Sequence, residues 1–208
     1  MLGDLALMLL ALCLVVGLAT ILAALALRRA AVAGLVVRLL AGVVVVYAAL
    51  LLGAAFVSRE RVLPPGEEKA VSGFDPHLHF RVRGPMVRDA QGNLEVPVFL
   101  RSDAVRAIQD PTCLIALLVD ARGRHWRPVI SSDSGLDPRR GLVPFARRLG
   151  PGQSYVATLA FHPDSTATGL RLLVCETGWP CRVTIGHERS PFHRKTYFAL
   201  VDSSAAGR

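Results

Sequence analysis

Leu39–Val57 reads LLAGVVVVYAALLLGAAFV, 19 residues without a charge. As a helix it would be about 28 Å long, close to the hydrocarbon thickness of a bilayer. This stretch decides the organisation of the chain. Before it, Leu5–Leu27 is a second uncharged run, rich in Leu and Ala. A cleavable signal peptide would need a basic start and a short apolar core. The chain begins MLGD and the apolar run is far longer, which predicts a retained helix. Residues 1–57 are therefore read as a transmembrane helical hairpin, with spans at about 5–27 and 39–57.

The connection between the spans carries Arg28, Arg29 and Arg38 and no acidic residue. Only Asp4 precedes the first span, and Arg59 and Arg61 follow the second with Glu60 between them. Lys and Arg mark the cytoplasmic side, so the connection is expected inside and both termini outside. The pairs Ala19/Ala23 and Ala49/Gly53, each four apart, offer faces on which the helices could approach closely.

After Val57 the composition becomes that of an ordinary folded domain. Residues 63–208 hold 19 Lys/Arg and 14 Asp/Glu, a net of +5 out of the whole chain's +8. The basic residues stand singly or in pairs, with no tract of the kind that tracks nucleic acid, so no nucleic-acid partner is expected. Residues 58–73, with Pro64, Pro65 and Gly66 beside a Glu67–Glu68–Lys69 cluster, read as a linker. From there, short apolar runs broken by turn residues predict an all-β domain over 74–202 and a flexible tail at 203–208.

The expected strands are Leu78–Val82, Leu94–Leu100, Thr112–Asp120, His125–Val129, Gln153–Phe161, Leu170–Cys175, Cys181–Ile185 and Thr196–Val201. Tyr155, Ala157, Leu159 and Phe161 alternate as one buried face of a strand does. Seven or eight strands in a domain of this length favour a two-sheet sandwich.

Three stretches carry a family resemblance: Leu118–Trp126 (LVDARGRHW), Leu149–Ser154 (LGPGQS), and Leu159–Pro163 (LAFHP) with Leu170–Leu172. In this order they resemble the immunoglobulin-like domains of secreted and membrane-anchored bacterial proteins related to immunoprotective extracellular antigens. The resemblance covers about residues 90–175. It implies an immunoglobulin-like β-sandwich outside the cytoplasm and implies no catalytic residues.

Few residues carry chemistry of their own. Cys175 and Cys181 flank Glu-Thr-Gly-Trp-Pro between two expected strands, where an oxidising compartment would join them as a disulfide. Trp179, at the tip of that turn, is a candidate contact with a partner or the membrane interface. His77 and His79, two apart on a strand, share a face and could begin a metal site. No ligand type lies at close spacing beside them, so solvated histidines at a strand edge are the favoured reading. His187 and His193 are six apart with Pro191 between them, unlike the four-residue spacing of zinc-protease helices. No catalytic residue, cofactor or metal is assigned.

The reading is a non-enzymatic, two-pass protein of the bacterial cytoplasmic membrane. It would present its sandwich outside for binding or scaffolding, with the lipid bilayer and a membrane or envelope protein as partners. The alternative is an accessory or metal-free cupredoxin-like subunit of a respiratory membrane complex. The absence of any Met after Met86 argues against a copper centre there.

Overall fold

The computed structural model describes residues 2–70, 77–89, 92–131, 145, 147–176, 178 and 180–201. The chain divides into two compact units. One comprises residues 1–59 with 179–194, and the other residues 60–178 with 195–208.

In the first unit, α1 (Leu2–Ala26) and α2 (Ala30–Val57) form a helical hairpin. Both are long and apolar enough to cross a membrane. The turn between them is only three residues, with Arg28 in a left-handed conformation (φ 57°). Arg28 and Arg29 lie in that turn. Arg38 does not, because α2 begins at Ala30 and Arg38 sits on its third turn.

The close approach also differs from the expected one. The buried helix residues are Gly17, Ala24, Ala33 and Ala55, whereas Ala19, Ala23, Ala49 and Gly53 are exposed. A Cβ on Gly17 would lie 2.6 Å from the Leu40 side chain, so glycine is needed there for backbone and leucine to meet. Helical phase decides which small residues face the partner, and spacing alone does not give the phase.

Residues 180–194 pack on this hairpin. They begin with a short helix, α3 (Pro180–Val183), where a strand was expected over Cys181–Ile185. Pro180 has no N–H to lose at a helix start, and the Thr184 hydroxyl bonds back to its carbonyl at 2.8 Å. The Tyr47 hydroxyl donates to the Val183 carbonyl at 2.6 Å. The Ser58 hydroxyl oxygen accepts the Arg194 N–H at 2.9 Å.

The second unit is β-rich and built of two sheets. Its strands are β1 (Arg61–Leu63), β2 (Lys69–Ala70), β3 (Leu78–Val82), β4 (Val87–Arg88), β5 (Leu94–Ser102), β6 (Leu114–Val119), β7 (His125–Trp126), β8 (Ile130–Ser131), β9 (Ser154–Phe161), β10 (Arg171–Glu176) and β11 (Thr196–Ala199). One sheet runs β1-β11-β10-β6-β7, the other β2-β3-β5-β9-β8 with β4 beside β5. All pairings are antiparallel except β1 with β11. Residues 58–73 thus contribute β1 and β2, one to each sheet.

The core follows from strand alternation. Leu78, Phe80 and Val82 join Leu94, Val96, Val98 and Leu100 and then Tyr155, Ala157, Leu159 and Phe161 on the inner face of one sheet. Leu114, Ala116, Leu118, Leu172, Val174 and Phe198 answer from the other. Phe145 caps them, its ring 5.5 Å from that of Phe80. Val119, Leu173 and Cys175 form a smaller buried cluster with Ile115, Leu117 and Tyr197, on the opposite face of β6 and β10.

The turn after β6 is held by Asp120, which is fully buried. One carboxylate oxygen accepts the N–H groups of Arg122 (3.0 Å) and Arg124 (2.8 Å), and the other accepts Arg124 Nε at 2.8 Å. Burial alone would raise this carboxyl, but the Arg124 guanidinium and the two N–H groups outweigh it and hold it below the usual range. Gly123 supplies the left-handed residue of the turn (φ 81°). Arg124 continues to Asp164 and to Thr166, tying the β6–β7 turn to the one before β10.

Candidate functional site

His77, just before β3, and His79, on it, lie on the outer face of the sheet, and pairing with β5 supplies what their spacing lacked. His79 lies opposite Arg101, and the Asp103 N–H bonds the His77 carbonyl at 3.0 Å. This register places the Asp103 carboxylate against both imidazoles. His77 Nδ1 is 2.7 Å from Oδ1, and His79 Nε2 is 2.6 Å from Oδ2. Each carboxylate oxygen takes one ring, so Asp103 is the hub of a hydrogen-bonded trio.

The His77 and His79 rings hold the Asp103 carboxyl below its ordinary range, His77 most strongly. Asp103 is 24 residues from His79, and only the strand register brings it near. Proximity in sequence gave no sign of it.

The same face continues as a charge ladder. Arg101 Nε donates to Glu68 Oε2 at 2.9 Å, and Glu68 Oε1 is 3.9 Å from Arg81. The Arg81 guanidinium stacks 4.5 Å over the Phe99 ring. Hydrogen bonding from Arg101 lowers the Glu68 carboxyl despite its partial burial. These groups form a polar strip of alternating sign across β2, β3 and β5. Chemically it can recognise a charged partner.

The trio gives a testable pH dependence. A carboxyl depressed on folding stabilises the fold above its unfolded value, near pH 4, and that contribution is lost as pH falls through the folded value. Asp103→Asn should therefore flatten the acid limb of stability below about pH 4. Thermal unfolding across an acid series checks this, and an unchanged limb would mean that Asp103 does not contribute.

The remaining candidates lie away from this trio, and among them the Cys181 thiol and the His187 ring stand within 4.8 Å of each other. No disulfide joins Cys175 and Cys181. The expected bond needed a hairpin with facing ends, but Cys175 lies on β10 and Cys181 lies in α3, so no second strand faces the first. Cys113, just before β6, has its thiol 3.7 Å from a Glu176 carboxylate oxygen. Burial first and that carboxylate second push it up to about 11, so it stays protonated at neutral pH. His187 is buried and accepts the Arg189 N–H at 3.1 Å, while His193 Nδ1 meets the Arg194 carbonyl at 2.7 Å. Trp179, residues 132–144 and the tail 203–208 lie outside the described residues.

No family model matches this chain, and no curated protein matches it. Among solved structures, it is similar to the secreted Mycobacterium tuberculosis protein MPT63, at 11% identity and a TM-score of 0.39, over 68% of this chain and 98% of that one. It is also similar to the archaeal flagellum of Methanospirillum hungatei strain JF1, at 11% identity and a TM-score of 0.30, over 79% and 96% of the two chains. Both likenesses are too loose to assign a family.

Proposed function

We propose that this is a non-enzymatic, two-pass protein of the bacterial cytoplasmic membrane. It presents an immunoglobulin-like sandwich on the outer side for binding or scaffolding, with a membrane or envelope protein as partner. The observation that carries the membrane reading is the exposure of the helices. Within the apolar windows of α1 and α2, 6% and 0% of residues are buried. Such side chains need a lipid environment, whereas the core helix of a water-soluble domain would be covered by protein. Their pairing through Gly17 and Leu40 favours a retained hairpin over a removable leader.

The immunoglobulin-like reading rests on strand order. In one sheet β3-β5-β9-β8, and in the other β11-β10-β6-β7, follow the ABED and GFC arrangement of such domains. The polar strip around Asp103 is the surface favoured for partner recognition, because alternating charges fix register and select partners.

Topology follows from Arg28 and Arg29 in the turn, with Arg38 on the inner half of α2, where its long stem reaches the headgroups. A periplasmic reporter fused after Val201 should be active, and one inserted at Arg29 inactive. The reverse pattern would place the β-rich domain in the cytoplasm and overturn the proposal.

A further inference from the structure

The α2 helix has 28 residues, about 42 Å at 1.5 Å each. That matches the roughly 40–45 Å of a bilayer measured through both headgroup layers. In the membrane reading proposed above, on which this inference rests, the last turn of α2 stands in the outer headgroup layer. That turn carries Phe56 and Val57, each 81% exposed. The 180–194 segment runs along the last three turns of the helix, fixed at Tyr47 by its Val183 end and at Ser58 by its Arg194 end. Where they meet, Ala55, Phe56, Phe192, His193 and Arg194 line a cleft of about 430 Å³.

The cleft is built with a local strain. Ser190–His193 is a turn closed by the His193 N–H on the Ser190 carbonyl at 3.2 Å. Pro191 takes its second position and Phe192 its third, with φ 64°. Turns of this kind place glycine at that third position, because a side chain there is crowded. Here a phenylalanine holds the glycine conformation and leaves its ring 75% exposed. The strain turns an aromatic side chain outward beside a second exposed aromatic and an arginine.

Away from the Arg28–Arg29 turn, the described charges at the other end of this unit are Arg59, Arg182, Arg189 and Arg194 against Glu188 and Asp4 in the first turn of α1. Aromatic rings settle at headgroup depth, and the guanidinium fork matches a phosphate.

We propose that this cleft binds the headgroup phosphate of an anionic phospholipid in the outer leaflet. Arg194 pairs with the phosphate, and Phe56 and Phe192 lie against the glycerol and upper acyl carbons. Arg59 and Arg189 add to the positive field that draws the lipid in.

The intact protein in nanodiscs of phosphatidylcholine, with and without phosphatidylglycerol, tests this. Native mass spectrometry after detergent extraction should find phosphatidylglycerol retained several-fold over phosphatidylcholine. Arg194→Gln should abolish that preference. Phe192→Gly suits the backbone of the turn, so it should keep or raise the unfolding midpoint while lowering retention. Excess inorganic phosphate should leave retention unchanged; if it strips the lipid, the cleft selects the free anion and the proposal fails. Retention unaltered by both substitutions would equally overturn it. Alkaline carbonate separates the two readings. A protein that washes off the membrane defeats the hairpin reading and this one together, whereas one that stays integral without phosphatidylglycerol preference defeats this inference alone.

Discussion

Leu159→Ala is expected to lower the unfolding free energy of the β-rich unit by about 2–5 kcal/mol. Leu159 has no solvent exposure and belongs to the main core cluster. It lies on β9 opposite Val96 of β5 and Ser131 of β8, so its strand is paired on both sides. A strand fixed by two ladders cannot move inward to fill the space the side chain leaves, which puts the cost in the range of poorly collapsing cavities. Glu67→Ala is the matched control. Its partner Arg61, 2.6 Å away, is well exposed, and the change should stay within about 0.5 kcal/mol. Denaturant unfolding of the full-length protein in micelles, followed by tryptophan fluorescence, measures both. Equal effects would mean that the inner face of β9 is not the centre of the core.

The second large effect is expected in the hairpin. Gly17→Leu should destabilise the contact between α1 and α2 by about 1–3 kcal/mol through overpacking. The added Cβ would meet Leu40 at 2.6–2.9 Å, and the rest of the side chain would have nowhere to go without separating the helices. Gly17→Ala should be milder, since rotation of Leu40 makes some room. Cys13 and Val43 line the same groove between the helices. Oxidative cross-linking of Cys13 to a Val43→Cys variant should therefore proceed with Gly17 present and fall sharply with leucine there. Cross-linking that ignores residue 17 would mean the helices do not meet at this glycine.

These two sites also show where the sequence was readable. Strands β3 and β5 lie close to their expected positions because each alternates strictly, and β9 and β10 because each is a short apolar run bounded by turn residues, visible without any partner. The alternation Cys181-Arg182-Val183-Thr184-Ile185 misled, because an apolar period of two is shared by strands and by short irregular segments packed on one side. Pro180, at the position where a helix tolerates proline, was the available contrary signal. The strands β1 and β2 are three and two residues long, too short for any period to register, and the Pro-Gly stretch between them masked both. The hairpin was legible from composition, whereas its contact face needed the phase of two helices. Asp103 was hidden for another reason. A cross-strand neighbour belongs to register, and register is fixed by the whole sheet.

The parallel pair of β1 and β11 bears on how the chain reaches this state. β1 is the first strand after the hairpin, and its partner is the last strand of the domain, so Arg61 must wait for Thr196. Pairing so distant in sequence is slow, since loop-closure entropy is lost before the contact forms. A chain that emerges N-terminus first would have its helices in place while β1 still lacks a neighbour. The strand that follows the hairpin in sequence would then close last, and completion of the sheet would report that the whole domain has been made.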